Sequence, residues 1–380
     1  MTGNITRRGT DSWRLKFEAG ERDPTTGKRH LRTATVRGTK KDAQRELTRM
    51  LNERDTGISV EPSTITVATY LRAWLNGPDR RLTPKTRERY IQLAEQQIIP
   101  SLGDVLMQKL RPSDVERWHA LLEQSGGKNG RPLAPRTVGH AHRVLHHALA
   151  KAMTSELVSR NVASAVSPPK VDAEEIEILA ADQINELFAK LSGRLLPIAA
   201  LALGTGLRRG ELCALRWGDV DLNGCSLRVE RSMEETKAGL RVKDPKTRHG
   251  RRTLALPAFT AEILRAHRVQ QLEHRLASGL GRTGSDDLVF TLPDGSSWSP
   301  NYLSRVWRLA MVSLELPRIG LHSLRHSHAS ALIAAKVDIV TISRRLGHGT
   351  PAFTLAVYAH LFEKTDAAAA QAIDAIIGKP

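Results

Sequence analysis

Two stretches without any hydrophobic period, residues 56–63 and the run Ser167-Pro168-Pro169-Lys170, break this chain into three segments with different apolar repeats. No single packing pattern accommodates all three. At 380 residues the chain is also too long for one compact domain. Over 1–56 the pattern predicts a small β unit and a helix. Trp13, Leu15 and Phe17 alternate with Arg14 and Lys16, Asp23-Pro24-Thr25-Thr26-Gly27 has turn chemistry, and a second alternating run covers 31–36. Helical spacing then runs from Thr39 through Ala43, Leu47 and Leu51 to Gly57. Over 64–168 helices dominate. Thr83-Pro84 is a cap followed by proline at the first helical position, and Pro112-Ser113 opens a helix carrying Val115, Trp118 and Leu121. A glycine-rich loop over 125–135 precedes a helix over 136–153. From 175 to 380 helical stretches surround a few short alternating runs, and an alanine run at 367–370 leads into an apolar tail with Ile373, Ile376 and Ile377.

Charge narrows the partner. Lys and Arg number 57 against 40 Asp and Glu, a net +17, and such an excess requires an acidic partner. The distribution is uneven: 14 basic against 8 acidic residues over 1–56, 16 against 9 over 57–170, and 27 against 23 over the remainder. The first 170 residues therefore hold +13 of the +17, as expected of a DNA-gripping front half joined to a less basic working half. Arg29, Arg32 and Arg37 lie among the first strands, where a sheet can enter a DNA groove. His140, His142, His146 and His147 lie on the 136–153 helix. His142 and His146 have metal-ligand spacing but no acidic or Cys companion, so the favoured reading is a basic helix facing phosphate.

Several classes drop out. The longest apolar stretch, 195–207, is broken by Pro197, Gly204 and Gly206 and falls short of the roughly 20 residues of a spanning helix. Residues 1–10 are polar, without the apolar run of a secretory signal, and Cys213 and Cys225 have no zinc-ligand or CxxC spacing; a cytoplasmic location is expected. No GxxxxGK[ST] and no HExxH occurs. Asp219-Val220-Asp221-Leu222-Asn223-Gly224 with Glu230 matches a calcium-loop pattern. Ser226 stands at its apolar position, however, and the exit Leu227-Arg228-Val229 alternates like a strand, so a helix-to-strand turn is expected instead.

The chemistry-bearing residues lie in four places. Thr205-Gly206-Leu207-Arg208-Arg209-Gly210-Glu211-Leu212 is a glycine turn running into a helix, with Leu212 and Leu215 facing inward and Glu211 read as a local hydrogen-bonding partner. Lys243-Asp244-Pro245-Lys246-Thr247 is a polar turn before an alternating strand over 252–256. His322-Ser323-Leu324-Arg325-His326 follows, then Leu346-Gly347-His348 and Val357-Tyr358-Ala359-His360. Arginine forks match phosphate oxygens bidentately, and no carboxylate cluster accompanies them to hold a metal, so the set suits metal-free phosphoryl chemistry.

In this order and spacing the motifs resemble those of the tyrosine recombinases, and the whole chain resembles a phage-type integrase. The resemblance implies an α+β fold, mainly α. It would comprise an arm-type DNA-binding domain of sheet and helix (1–56), a helical core-binding domain (64–168), and a mainly helical catalytic domain with a small sheet (175–380) ending in a tail helix. It further implies site-specific DNA recombination through a covalent 3′-phosphotyrosyl intermediate, with Tyr358 as nucleophile. Arg208 and Arg325 would clamp the phosphate and Lys246 would protonate the leaving 5′-oxygen, Lys243 lying close enough to compete for that role. His322 would help accept the tyrosine proton and His348 would hydrogen-bond a phosphate oxygen. No cofactor, metal or ATP is implied. Expected partners are double-stranded attachment-site DNA, three further copies forming a homotetramer, and a directionality factor and DNA-bending protein as accessories. The tail helix would dock on a neighbouring subunit or fold back on its own. Asn161-Val162 stands where the family often has Asn-Pro, a change at a helix end that touches no chemistry. Two alternatives remain: a type IB topoisomerase with similar chemistry, and a catalytically silent DNA-binding regulator.

Overall fold

The computed structural model describes residues 3–18, 31–55, 62–78, 82–172, 177–245 and 248–361, together with 373, 374 and 377. It divides into two compact units, 1–172 and 173–380. The turn at 23–27, Arg29, Lys246 and nearly all of the tail lie outside the described residues.

In the first unit, β1 (Asn4–Arg7), β2 (Ser12–Glu18) and β3 (Leu31–Arg37) form an antiparallel sheet with β2 central, Leu15 pairing with both Ile5 and Ala34. Alternation along β2 buries Leu15 and Phe17 against Ala43 and Leu47 of α1 (Lys40–Asp55). Thr39 and Asp42 start that helix: the Asp42 carboxylate accepts from the Thr39 backbone N–H and hydroxyl.

A second core lies among α2 (Val67–Asn76), α3 (Pro84–Leu93), α4 (Ile99–Leu102), α5 (Pro112–Ser125) and α6 (Pro135–Thr154). Thr83 caps α3 with Pro84 at its first position. On α5 the inward residues are Val115, Trp118 and Leu122, while Leu121 is exposed, because a 3.6-residue period returns to the core at 122. On α6 the phosphate-facing expectation is corrected for His142, while His147 and Arg143 are exposed. Val138, Ala141, His142, Leu145 and Leu149 share the inner face, so His142 is buried with its Nδ1 3.1 Å from Nε2 of His119. His146 is hydrogen-bonded to Ser164 and His147 to Tyr90, so both are engaged within the unit.

The second unit is organised around α8 (Leu195–Thr205), which follows α7 (Ala181–Lys190) and is apolar almost all round. Such a helix must be buried on every side. After α9 (Arg209–Ala214), strands β4 (Val220–Asp221), β5 (Ser226–Val229) and β8 (Arg252–Ala255) form one antiparallel sheet. Strands β6 (Ser232–Thr236) and β7 (Gly239–Lys243) form a separate hairpin. The calcium-loop look-alike joins two strands, β4 and β5, rather than a helix and a strand, because Val220 and Asp221 pair with Leu227 and Ser226; Asp221 accepts the backbone N–H groups of Asn223 and Gly224, and Asp219 pairs with Arg231. Helices α10 (Ala258–Ala277), α11 (Pro300–Ser313), α12 (Leu321–Ala334), α13 (Ile339–Leu346) and α14 (Pro351–Tyr358) complete the unit. Among the described residues no helix is long and apolar enough to cross a membrane.

Candidate active site

Two helix ends make the site. Helices α8 and α13 both terminate in a left-handed glycine, Gly206 (φ +67°) and Gly347 (φ +65°), a backbone state open to glycine at little cost. The last carbonyls of an α-helix lack intrahelical partners and carry the negative end of its dipole. Here arginines take them. At the end of α13, Arg252 Nε donates to the Arg345 carbonyl at 2.7 Å, Arg325 Nη2 to Leu346 at 2.7 Å, and Arg208 Nη2 to Gly347 at 2.9 Å. Three consecutive carbonyls thus hold three guanidiniums. At the end of α8, His328 Nδ1 bonds the Leu203 carbonyl at 2.7 Å, Arg345 Nη2 the Gly204 carbonyl at 2.9 Å, and Arg325 Nη1 the Gly206 carbonyl at 2.5 Å.

One carboxylate joins this cluster. Glu211, 3% exposed, accepts from Arg208 Nη1 at 2.9 Å, from the Arg208 backbone N–H at 3.0 Å, and from Arg252 Nη2 at 3.0 Å. Burial alone would raise its pKa; the joint attraction of Arg252 and Arg208 outweighs that and holds it below the usual carboxylate range. Of the four guanidiniums, Arg208 and Arg252 pair with this carboxylate, whereas the bonds of Arg325 and Arg345 among the described residues go to backbone carbonyls and to His328. Burial, then repulsion from Arg208, lowers Arg325 to about 9, so it stays charged at neutral pH. The surplus positive charge is what an anion would neutralise. Arg325 is only 2% exposed, whereas the Arg208 side chain is 39% exposed and stands at the mouth.

The histidines add donors and acceptors rather than charge. His348 follows the Gly347 cap, bonds Thr354 through Nδ1 at 2.7 Å, and is lowered to about 3 by burial and by Arg325, Arg208 and Arg252. His322, in the first turn of α12, is lowered to about 4 by withdrawal from water and by His326, Arg325 and Arg208, although the residue keeps an exposed surface. Both are neutral at pH 7. Tyr358, at the end of α14, is 1% exposed, and its hydroxyl lies 2.7 Å from Nδ1 of His326.

The fold thus gathers Arg208 and Arg325 on one helix end, places His348 beside it, and brings His322 into electrostatic contact with both arginines. Tyr358 joins through His326. Lys246 lies outside the described residues. Its rival Lys243 is engaged on the hairpin, in an ion pair with the buried Glu234. Sequence reading missed Arg252, Arg345, His326 and His328. A signal existed for His326, which stands one helical turn after His322 on the same face. Among the described residues no group of three His, Cys, Asp or Glu side chains could hold a metal ion.

The sequence profile of the Phage integrase family matches residues 177–365, and that of the Phage integrase, N-terminal SAM-like domain matches 66–122. An integrase of Streptomyces ambofaciens is 31% identical over 354 residues, covering 88% of this chain and 86% of that protein. A tyrosine recombinase XerC-like protein of Caldanaerobacter subterraneus subsp. tengcongensis is 25% identical, covering 95% of both chains. Among solved structures, the Tn1549 transposon integrase in complex with transposon right end DNA superposes with a TM-score of 0.67 at 20% identity. That match covers 81% of this chain and 98% of the other, and so establishes the shared fold. The chain belongs to the phage integrase family, the tyrosine recombinases. It is accordingly a site-specific recombinase, with the α+β, mainly helical architecture of that family.

Proposed function

We propose that this recombinase breaks and rejoins DNA without metal or nucleotide, integrating and excising a phage or other mobile element. Tyr358 gives up its hydroxyl proton to a histidine of the site and attacks the scissile phosphate, forming a 3′-phosphotyrosyl bond, while the P–O5′ bond breaks and Lys246 protonates the departing 5′-oxygen to a 5′-hydroxyl. Arg208 and Arg325 meet the charge that builds on the non-bridging oxygens, and His348 adds a hydrogen bond. The phosphotyrosine conserves the bond energy, so a different 5′-hydroxyl can displace it. The observation that carries this reading is the pair of guanidiniums fastened to the adjacent carbonyls of Leu346 and Gly347. Each guanidinium has five N–H groups and spends two on the bonds described above, which leaves three apiece, among the described residues, for a phosphate.

Around this centre, residues 1–56 act as an arm-type DNA-binding domain and 64–168 as the core-binding domain, as their share of the basic surplus favours. The enzyme works in the cytoplasm as a homotetramer on paired attachment sites, with a directionality factor and a bending protein as accessories. The test incubates wild type and Tyr358→Phe, in EDTA, with supercoiled DNA carrying the sequence that flanks the gene, then denatures and looks for covalent protein–DNA adducts. Wild type forms them and Tyr358→Phe does not. Absence of adduct with wild type defeats the proposal, adduct with Tyr358→Phe defeats the choice of nucleophile, and relaxation of any plasmid regardless of sequence identifies a topoisomerase instead.

A further inference from the structure

Tyr358 is buried, and among the described residues one side-chain atom, Nδ1 of His326, lies within hydrogen-bond distance of its hydroxyl, at 2.7 Å. His326 stands on α12 between two residues of the site, directly after Arg325 and one turn after His322. Its ring meets His322 edge-on with centroids 4.8 Å apart and lies 5.7 Å from the Tyr358 ring. Three rings therefore run in series from the solvent-open edge of the site at His322 to the buried phenol. From this arrangement we infer that His326, not His322, is the catalytic base that takes the hydroxyl proton of Tyr358 as its oxygen attacks phosphorus. His322 acts on His326, as a positioning residue. The inference rests on the reading of Tyr358 as nucleophile.

The surroundings suit that exchange. A phenol in this position does not ionise unaided: burial raises its pKa, and the attraction of Arg325 offsets only part of the rise. The base must then be neutral and in place beforehand. Burial, with Arg325 adding to it, keeps His326 below the ordinary histidine range, so at pH 7 the ring offers a lone pair. Among the described residues the charged and titratable groups recorded against it are Arg325 and His322 on its own helix and Tyr358 on α14. His348 is spoken for, bonded to Thr354. In the forward step the O–H bond of Tyr358 breaks, its proton passes to Nδ1 of His326, and the oxygen bonds to phosphorus. The P–O5′ bond then breaks with its electron pair on the 5′-oxygen, which is protonated by the general acid. In rejoining, the imidazolium returns the proton to the departing phenolate.

The experiment measures single-turnover adduct formation on a duplex carrying the sequence that flanks the gene, from about pH 5.5 to 9. It compares wild type, Tyr358→Phe, His326→Asn, His326→Phe and His322→Gln. Asparagine places an acceptor oxygen near the position of Nδ1 but cannot take the proton, so it separates holding the tyrosine from deprotonating it. Both His326 variants are expected to slow adduct formation by about 10²–10⁴-fold, the usual worth of general base catalysis. Their rates should climb with pH, whereas the wild-type rate is flat above about pH 6.5. His322→Gln should slow the reaction less and keep the flat profile. The inference is overturned if His326→Asn keeps a flat profile within about threefold of wild type, or if His322→Gln alone shows the pH-dependent loss. If His326→Phe does not fold, His326→Asn decides. A wild type without adduct, or adduct with Tyr358→Phe, overturns the underlying assignment and this one with it.

Discussion

Arg252→Met tests whether the site is built as described, at a residue outside the proposed phosphate contacts. The Arg252 side chain is 7% exposed and spends its donors on the Arg345 carbonyl, the Gly250 carbonyl and Glu211. Methionine fills similar space and makes none of these bonds. Glu211 is then left buried with Arg208 alone, and the Arg345 carbonyl loses its bond from Arg252. Breaking one side of a buried ion pair costs about 3–5 kcal/mol. In a unit of this size that lowers the melting temperature by roughly 2–4 °C per kcal/mol, or on the order of 10 °C. Native-state hydrogen exchange on α9 and α13 localises the loss, and urea melts give its size. Adding Glu211→Gln should recover at least 1 kcal/mol relative to the sum of the single changes, because removing both partners leaves no uncompensated charge. The pH dependence has a definite sign. In wild type the depressed Glu211 pKa gives stability that is present above the unfolded value of 4.5 and lost as pH falls through the folded one. Without Arg252 that pKa rises, so the deficit of the variant narrows as pH falls and Glu211 is protonated earlier than in wild type. Single and double effects that add within about 0.5 kcal/mol, or a loss below about 1 kcal/mol in Arg252→Met, would refute the reasoning.

Other outcomes are expected as follows. Gly347→Ala should destabilise by about 1–2 kcal/mol and abolish adduct formation, because φ is +65° and a Cβ there meets Arg252 Nη1 at 2.8 Å and the His249 carbonyl at 3.1 Å; paired melting and adduct assays check it. Tyr358→Phe should leave DNA affinity unchanged in gel shifts and cost about 1 kcal/mol of stability for the hydroxyl's hydrogen bond to His326. Stability should fall as pH drops from 6.5 toward 4, because His142 and His328 are held at about 4 in the folded state and must gain protons that the unfolded chain already binds. Buried His328 alone contributes on the order of 3 kcal/mol to that loss, and His328→Gln should flatten the profile in calorimetry. Adduct formation in EDTA should equal that in magnesium, measured on the same DNA.

Local patterns in the chain carry much of this. The alternation of Trp13, Leu15 and Phe17 becomes β2, and Thr83-Pro84 becomes the start of α3, because those signals depend only on nearest neighbours. His322, Arg325, His348 and Tyr358 were singled out through the resemblance of short motifs to those of the tyrosine recombinases, and of these motifs the left-handed cap at Gly347 before His348 has a local backbone reason. Arg252, Arg345 and His328 were not, because each earns its place through bonds to residues 17 to 141 positions away, which no periodicity encodes. His142 shows the reverse error: its type suggested phosphate, but its phase on the helix had already placed it inside.

The two capped helix ends have a consequence for the biogenesis of the enzyme. Arg208 and the carbonyl that fixes it are 139 residues apart, and Arg325 bridges Gly206 and Leu346 from opposite sides. No shorter stretch of chain assembles the cluster. A nascent or partly unfolded polypeptide carries the same arginines and the same tyrosine, but its cations repel one another and disperse. Arg208 and Arg325 therefore lose the carbonyls of Gly347 and Leu346 that hold them whenever α13 is undocked, so the arginine cluster exists only in the folded unit.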